Sequence, residues 1–382
     1  MGTDESKKRC RMKKPGDRER NMTGWKICAL TLGLASALAA TSASTVGFAQ
    51  SLADVALMTG SDRQAKLEAG ARKEGEFMLY TAQTVDDGVR PFQEAFTKKY
   101  PYVKFNFYRA PSPALVQRIL SETRANKPIA DVVVGSASAA LYEAKLLQSF
   151  KSPELDTYPK DYIGPDNLWG PVRFSYNGIA YNTKQVPAAE APQTWEALLD
   201  PRWKGKMIWI TDLGTGGPLL IHHLRSHWGE KKAGEYFDKL GKQALAGSAA
   251  TNQTVLDLLI AGEHQILVSA ALHQVIRAMN EGAPVGFTSP DPVIARPEHV
   301  MLLNSAPHPY ASMLFIDFQL SVEGQKLLSD NSYLPAHPKV GPPDFMKPIV
   351  PRLAGKSEIL YGPEDTTKNA DVLKDIYAKI TQ

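Results

Sequence analysis

Residues 131–136, Asp131-Val132-Val133-Val134-Gly135-Ser136, decide the fold of this chain. A run that is apolar throughout and ends in Gly-Ser is typical of a central parallel strand whose carboxyl end opens on a loop. Upstream of it, strands at 77–80 and 103–108 alternate with helices at 52–74, 89–100 and 112–126. This alternation predicts an open α/β sheet, and such sheets bind ligands outside the carboxyl ends of their strands.

The remainder of the chain predicts a second α/β unit. An extended segment at 172–181 leaves the first unit, a return segment at 290–305 runs back to it, and a helix at 308–330 follows. Because about 330 residues exceed one typical domain, we expect two lobes. The predicted first lobe is 50–172, completed by 299–345, and the predicted second lobe is 173–298, completed by 346–382.

The first 49 residues are predicted to be a signal peptide. A basic stretch precedes an apolar run, Ile27 to Ala40, which is shorter than the roughly 18 to 20 residues that cross a bilayer. Small residues follow, and Gly47-Phe48-Ala49 suits signal peptidase. We therefore expect a mature chain that begins near Gln50 and is free in the periplasm of a Gram-negative source. A retained anchor helix is the alternative.

The net charge of +4 belongs to this leader. It holds nine Lys or Arg and four acidic residues, which leaves 35 basic and 36 acidic residues and a formal charge of −1 in the predicted mature chain. A near-neutral chain gives no support for nucleic-acid binding. Both cysteines, Cys10 and Cys28, lie in the leader, so disulfides and cysteine nucleophiles are excluded from the mature chain.

Nine short motifs follow one another along the chain. In order, they are Leu79-Tyr80-Thr81-Ala82-Gln83, Ala130-Asp131-Val132-Val133-Val134, Tyr181-Asn182-Thr183-Lys184, Thr194-Trp195-Glu196-Ala197-Leu198-Leu199-Asp200-Pro201, Lys204-Gly205-Lys206, Gly262-Glu263, Gly282-Ala283-Pro284-Val285, Ala306-Pro307-His308-Pro309 and Ser321-Val322-Glu323-Gly324-Gln325-Lys326-Leu327-Leu328. Each motif is weak alone, but the collinear series resembles the ferric-iron-type extracellular solute-binding proteins of ABC importers.

This resemblance implies a type II periplasmic binding protein fold, with two crossing strands and a hinge on which the lobes close over a ligand. It also implies that the protein acts as a monomer, takes up a small-molecule ligand and delivers it to an ABC permease in the inner membrane.

Ferric members of the family bind iron through a histidine, a glutamate and two adjacent tyrosines. The resemblance places Thr84, Ser136 and Ala271-Leu272 at those positions. Fe³⁺ requires anionic oxygen donors, which hydroxyls and alkyl chains do not supply. We therefore expect a ligand other than bare ferric iron, although a binder of ferric iron or of a metal complex stays open as an alternative.

A glycine-rich loop before a helix favours an anionic ligand. Thr215, Gly216 and Gly217 precede the helix at 218–228, and free backbone N–H groups at a helix start bind anionic oxygens. We expect these residues, with Ser136 opposite, to hold a carboxylate, phosphonate or sulfonate. The alternative is a glycine-rich turn that only packs tightly.

Five further residues are candidates for ligand contact. Thr81 and Gln83 follow the first strand, where polar side chains meet a ligand or only solvent. Ser269 and His273 flank the position of the missing tyrosines, although a lone histidine is more often a packed or surface residue. Tyr181 can stack on a ligand from the crossing strand or pack in the core.

No catalytic set is found. His223 and His227 are four residues apart on a helix, but the glutamate of a zinc-protease motif is absent, and no Gly-x-Ser-x-Gly sequence occurs. We expect a binding protein with no enzymatic activity and no cofactor, and an exported hydrolase is the remaining alternative.

Overall fold

A computed structural model of the protein describes residues 50–211 and 217–360. The predicted signal peptide, Thr215, Gly216 and the segment 361–382 lie outside these ranges. The helices are α1 Leu52–Ala56, α2 Arg63–Glu74, α3 Arg90–Lys99, α4 Ser112–Arg124, α5 Ser138–Glu143, α6 Gly217–Trp228, α7 Glu230–Gly241, α8 Asn252–Ala261, α9 Leu272–Asn280, α10 Pro309–Leu320, α11 Val322–Asp330 and α12 Pro351–Ala354.

The strands form one sheet. They are β1 Glu76–Thr81, β2 Lys104–Arg109, β3 Val132–Gly135, β4 Leu147–Gln148, β5 Gly170–Asn182, β6 Met207–Ile210, β7 Ala246–Ser248, β8 Ile266–Ala271, β9 Val285–Thr288, β10 Val293–Leu303, β11 Leu334–Pro335 and β12 Glu358–Leu360. The main order is β2-β1-β3-β10-β5-β8-β6-β7. β1 pairs in parallel with β2 and β3, and β6 with β7 and β8. The long strands β5 and β10 pair antiparallel and join the two parallel groups, which confirms the predicted α/β architecture with two crossing strands.

Each parallel group packs its own hydrophobic cores. Phe77 of β1 lies at the centre of an aromatic cluster with Phe96, Phe105 and Phe315, with ring centroids 4.8 to 5.6 Å apart. The second group buries Trp209 of β6 in a separate core. The two sets of cores agree with two lobes, and the exact lobe boundaries stay a prediction.

Two helices that the sequence predicts as continuous are divided in the structure. The predicted helix at 52–74 is interrupted between α1 and α2, where Gly60 has a φ of 105°, a conformation that few other residues adopt. The predicted helix at 308–330 breaks at Ser321, which is extended and caps α11 by accepting a hydrogen bond from the Gly324 N–H at 3.2 Å. In both places a single residue, Gly60 or Ser321, interrupts the helix although the apolar periodicity continues.

The helices within the described ranges include none that combines the length and the apolar character needed to cross a membrane.

Candidate functional site

The two crossing strands have one apolar face and one polar face. Side chains alternate along a strand, and Val172, Phe174 and Tyr176 of β5 enter the large core of the first parallel group. The opposite face carries charged and polar side chains, because Arg173 pairs across the ribbon with Glu298 and Ser175 with Arg296. We call this face the polar floor; it consists of Arg173, Ser175, Asn177, Arg296 and Glu298.

The polar floor lies between the carboxyl ends of the two parallel groups. Gly135, which ends β3, is paired with His299, next to Glu298. At the other end, Ala271, which ends β8, is paired with Asn177. We call the loops and strand ends at these two edges the two walls, and the space between them above the floor the cleft, because an α/β sheet binds its ligand at the carboxyl ends of its strands.

A buried ion pair holds the first-lobe end of the floor. The guanidinium of Arg173 donates two hydrogen bonds of 2.8 Å to the carboxylate of Glu298 and stacks on the ring of Tyr333, 3.9 Å from its centroid. Burial alone raises the pKa of Glu298, but the adjacent Arg173 outweighs this effect and holds the pKa below its usual range. The pair is therefore charged at neutral pH.

His273 packs against the middle of the floor. Its Nδ1 lies 2.9 Å from the hydroxyl of Ser175, and the two residues line a small cavity of about 10 Å³ together with Arg173 and Tyr333. Burial, followed by the charge of Arg173, lowers the pKa of His273 to about 3. The imidazole is therefore neutral, and a ligand that meets it meets a hydrogen-bonding group without a charge.

The first wall consists of the loops after β1 and β3. The hydroxyl of Thr84 lies 2.8 Å from the hydroxyl of Tyr333, so the predicted site residue is linked to the floor through Arg173. Ser136 is exposed, and its hydroxyl lies 3.3 Å from that of Ser112. Thr81 is buried and accepts a hydrogen bond of 3.1 Å from the Gln83 N–H, so it shapes the loop.

Gln83 is the unusual residue of this wall. Its side chain is 2% exposed, and the amide Nε2 has no hydrogen-bond partner among residues 50–211 and 217–360. Buried polar groups in native proteins are almost always paired, and an unpaired one requires an explanation.

The second wall includes Ser269, which is buried and has a φ of 61°. The Nδ2 of Asn177 donates to its backbone carbonyl at 3.1 Å, which ties this wall to the floor. Gly217 begins α6 and packs closely on Trp209, because a Cβ at Gly217 would lie 2.5 Å from that ring. Thr215 and Gly216 lie outside the described residues, so the predicted anion loop stays a prediction.

Replacing Gly217 with alanine is expected to lower the free energy of unfolding by about 1–3 kcal/mol, because the added methyl group forces the rigid indole of Trp209 to move. Urea denaturation measures this loss. Gly234 is the matched control, since it lies within α7 and a Cβ there meets nothing within 4 Å. Gly234→Ala is expected to gain up to about 1 kcal/mol. Equal stability of both variants would show that Gly217 is not required for packing.

Tyr181 is the predicted site residue that the structure separates from the others. It is paired with Ile266, the first residue of β8, whereas the cleft opens at the last residue, Ala271. Its ring packs in the second-lobe core and covers Gly286, where a Cβ would lie 2.3 Å from Cζ. We therefore exclude Tyr181 from the candidate site, because β5 continues past the cleft to Asn182.

The two histidines of α6 that are four residues apart, His223 and His227, differ in their surroundings. His223 is buried with its Nδ1 2.6 Å from the Leu219 carbonyl, and His227 is exposed. In the part of the chain that the structure describes, no three His, Cys, Asp or Glu side chains lie close enough to hold a metal ion.

The structure therefore links Thr84, Ser269 and His273 to a floor that the sequence analysis did not identify, and Gln83 lies next to Thr84 in the chain. Arg173, Asn177, Glu298 and Tyr333 are the residues missed. The available signal was the spacing of polar side chains at every second position within the otherwise apolar segment 172–181.

Comparison with solved structures establishes the class of fold. The structure of the periplasmic binding protein AfuA from Actinobacillus pleuropneumoniae, with exogenous fructose-6-phosphate bound, superposes with a TM-score of 0.62 at 24% identity, over 81% of this chain and 97% of that one. The fold is that of the type II periplasmic binding proteins.

A family model for bacterial extracellular solute-binding proteins matches residues 127–351, and the chain belongs to this family of binding proteins. Iron uptake protein A1 of Synechocystis sp. (strain PCC 6803) is 27% identical over 251 residues, which cover 60% of this chain and 68% of that protein. A putative 2-aminoethylphosphonate-binding periplasmic protein of Salmonella typhimurium is 26% identical over 282 residues, which cover 70% of this chain and 80% of that protein.

Proposed function

We propose that this protein is the periplasmic substrate-binding component of an ABC importer and that it captures a small organic anion above the polar floor. The ligand bears a carboxylate, phosphonate or sulfonate group, and the protein delivers it unchanged to a membrane permease. The two lobes close on the ligand by a hinge movement of the crossing strands. The single observation that carries the ligand class is the buried Nε2 of Gln83, which has no hydrogen-bond partner among the residues that the structure describes.

A buried N–H group without an acceptor costs about 1–3 kcal/mol. An anionic oxygen removes this cost, and a hydrogen bond to a charged acceptor is roughly twice as strong as one between neutral groups. The hydroxyls of Thr84 and Ser136 lie on the same wall as Gln83 and add further donors. The wall therefore suits a ligand group that only accepts hydrogen bonds.

The names and structures of the similar proteins include ligands of this anionic class. One relative is named for 2-aminoethylphosphonate, and the AfuA structure holds a sugar phosphate. Another relative is named iron uptake protein A1, so ferric iron is the second candidate ligand. Thr84, Ser136, Ala271 and Leu272 supply no anionic oxygen at the positions that the resemblance assigns to ferric ligands, so the organic anion is the stronger proposal.

A thermal-shift screen tests this proposal. The chain from Gln50 onward is expected to melt at a higher temperature with members of a panel of carboxylates, phosphonates, sulfonates and sugar phosphates, because a ligand at 100 times its Kd adds about 2.7 kcal/mol of stability. Neutral sugars, polyamines and ferric citrate, the last compared with citrate without iron, serve as comparison arms. Stabilisation by iron alone, or only by neutral or cationic compounds, contradicts the proposed ligand class, and chemical conversion of a stabilising compound indicates a hydrolase.

A further inference from the structure

Asn177 lies at the second-lobe end of the polar floor with one polar atom unused. The side chain is 1% exposed and stands between Ala271 of β8 and Ile294 of β10. Its Nδ2 donates to the carbonyl of Ser269 at 3.1 Å, which leaves Oδ1 as the remaining atom. Oδ1 is buried and accepts no hydrogen bond from any residue that the structure describes.

The orientation of this amide is fixed by its neighbour. β8 has a bulge in which Val268 and Ser269 stand opposite Ile179 alone, and the φ of Ser269 is 61°. The same Nδ2 also lies 3.5 Å from the Ser269 hydroxyl. Turning the Asn177 amide by 180° would set its oxygen against the Ser269 carbonyl oxygen and exchange the 3.1 Å hydrogen bond for the longer contact with that hydroxyl. The observed orientation keeps the shorter bond and leaves Oδ1 to a donor other than Ser269.

Asn182, on the same strand, provides a direct comparison. It is also buried, but its Nδ2 donates to the Leu259 carbonyl at 2.8 Å and its Oδ1 accepts from the Lys184 N–H at 2.9 Å. Asn182 lies beyond the amino end of β8, whereas Asn177 lies at the carboxyl end, where the cleft opens. The asparagine with an unused acceptor is thus the one at the candidate site.

We propose that Asn177 is a specificity residue and that the ligand carries a hydrogen-bond donor, either an ammonium or a hydroxyl group, in addition to its anionic group. This inference rests on the proposed function and deepens it. A bare carboxylate, sulfonate or fully ionised phosphonate offers only acceptors, which an amide oxygen repels. Gln83 requires an acceptor and Asn177 requires a donor, so a ligand with an anionic group and a donor group offers both kinds of partner.

Calorimetric titration of the chain from Gln50 onward with matched probes tests this inference. The pairs are β-alanine and propionate, 3-hydroxypropionate and propionate, and 2-aminoethylphosphonate and ethylphosphonate. In at least one pair the substituted member is expected to bind about tenfold or more tightly than the plain one, because the buried Oδ1 is unsatisfied without a donor. The amino and hydroxy arms identify which donor the site takes.

Variants at Asn177 separate recognition from stability. Asn177→Leu removes the acceptor oxygen and is expected to reduce the affinity ratio between the members of a pair to about one. Asn182→Leu, the same change at the fully bonded asparagine, is expected to lower stability and leave the ratio unchanged. A ratio is used because a purely structural effect weakens both members alike.

Three outcomes overturn the inference. If plain and substituted anions bind equally to the unmodified chain, the donor requirement is wrong while the proposed function stands. If Asn177→Leu keeps the preference, Oδ1 contacts only water. If no member of any pair binds, the proposed ligand class fails and this inference fails with it.

Discussion

Replacing Arg173 with methionine is expected to lower the free energy of unfolding by about 3–5 kcal/mol, because Glu298 would then be buried without its counter-ion. The guanidinium side chain is 7% exposed and donates both of its 2.8 Å hydrogen bonds to that carboxylate. The change also removes the contact with Tyr333, which positions Thr84 on the first wall. Urea denaturation at neutral pH measures the loss.

Two further variants test whether this loss of stability comes from leaving the Glu298 charge buried without a partner. Arg173→Met combined with Glu298→Leu is expected to recover most of the stability, since an apolar pair leaves no buried charge. Arg90→Met is the matched control: Arg90 pairs with Asp86 at 2.8 Å, but both side chains are more than half exposed, so the expected change is within about 0.5 kcal/mol. A loss below about 1 kcal/mol for Arg173→Met would show that the pair is not effectively buried.

Replacing Gln83 with methionine is expected to weaken binding of the organic anion about 10- to 100-fold without lowering the stability of the ligand-free protein. Methionine has a similar volume, and removing a buried donor that has no partner is neutral or stabilising before the ligand binds. Calorimetric titration gives the affinity, and urea denaturation without ligand gives the stability.

Gln93→Met is the control for this experiment. Gln93 belongs to α3, and its Nε2 donates to the Phe105 carbonyl at 3.0 Å, so its loss is expected to reduce stability and leave affinity unchanged. If Gln83→Met instead behaves like Gln93→Met, the Gln83 amide has a structural role and the observation behind the ligand class is lost.

Much of the fold follows from local patterns in the sequence. The apolar run that includes Val132, Val133 and Val134 is a central strand, and the extended segment at 172–181 is the crossing strand β5 at 170–182. The two helix breaks were harder to predict from the sequence, because the apolar periodicity continues through them. Gly60 and Ser321 carry the signals, a positive φ and an N-cap hydroxyl, but a single glycine or serine within a periodic segment is ambiguous.

The candidate site was only partly predictable for a physical reason. Gln83 follows β1 and Ser269 lies near the carboxyl end of β8, so the sequence indicates the edge of the sheet on which they lie. The polar floor depends on the register between β5 and β10, which pairs Arg173 with Glu298, 125 residues away. A single sequence does not contain that register. Tyr181 was misplaced for the same reason, since its level relative to β8 is set by pairing with Ile266.

The most direct test of the central claim is a crystal structure of the chain from Gln50 onward with the organic anion that gives the largest thermal shift. The account predicts the ligand in the cleft above the polar floor, with an anionic oxygen about 2.7–3.2 Å from Nε2 of Gln83. An anion bound away from the floor, with no contact to Gln83, would contradict it, as would an iron ion bound in the cleft.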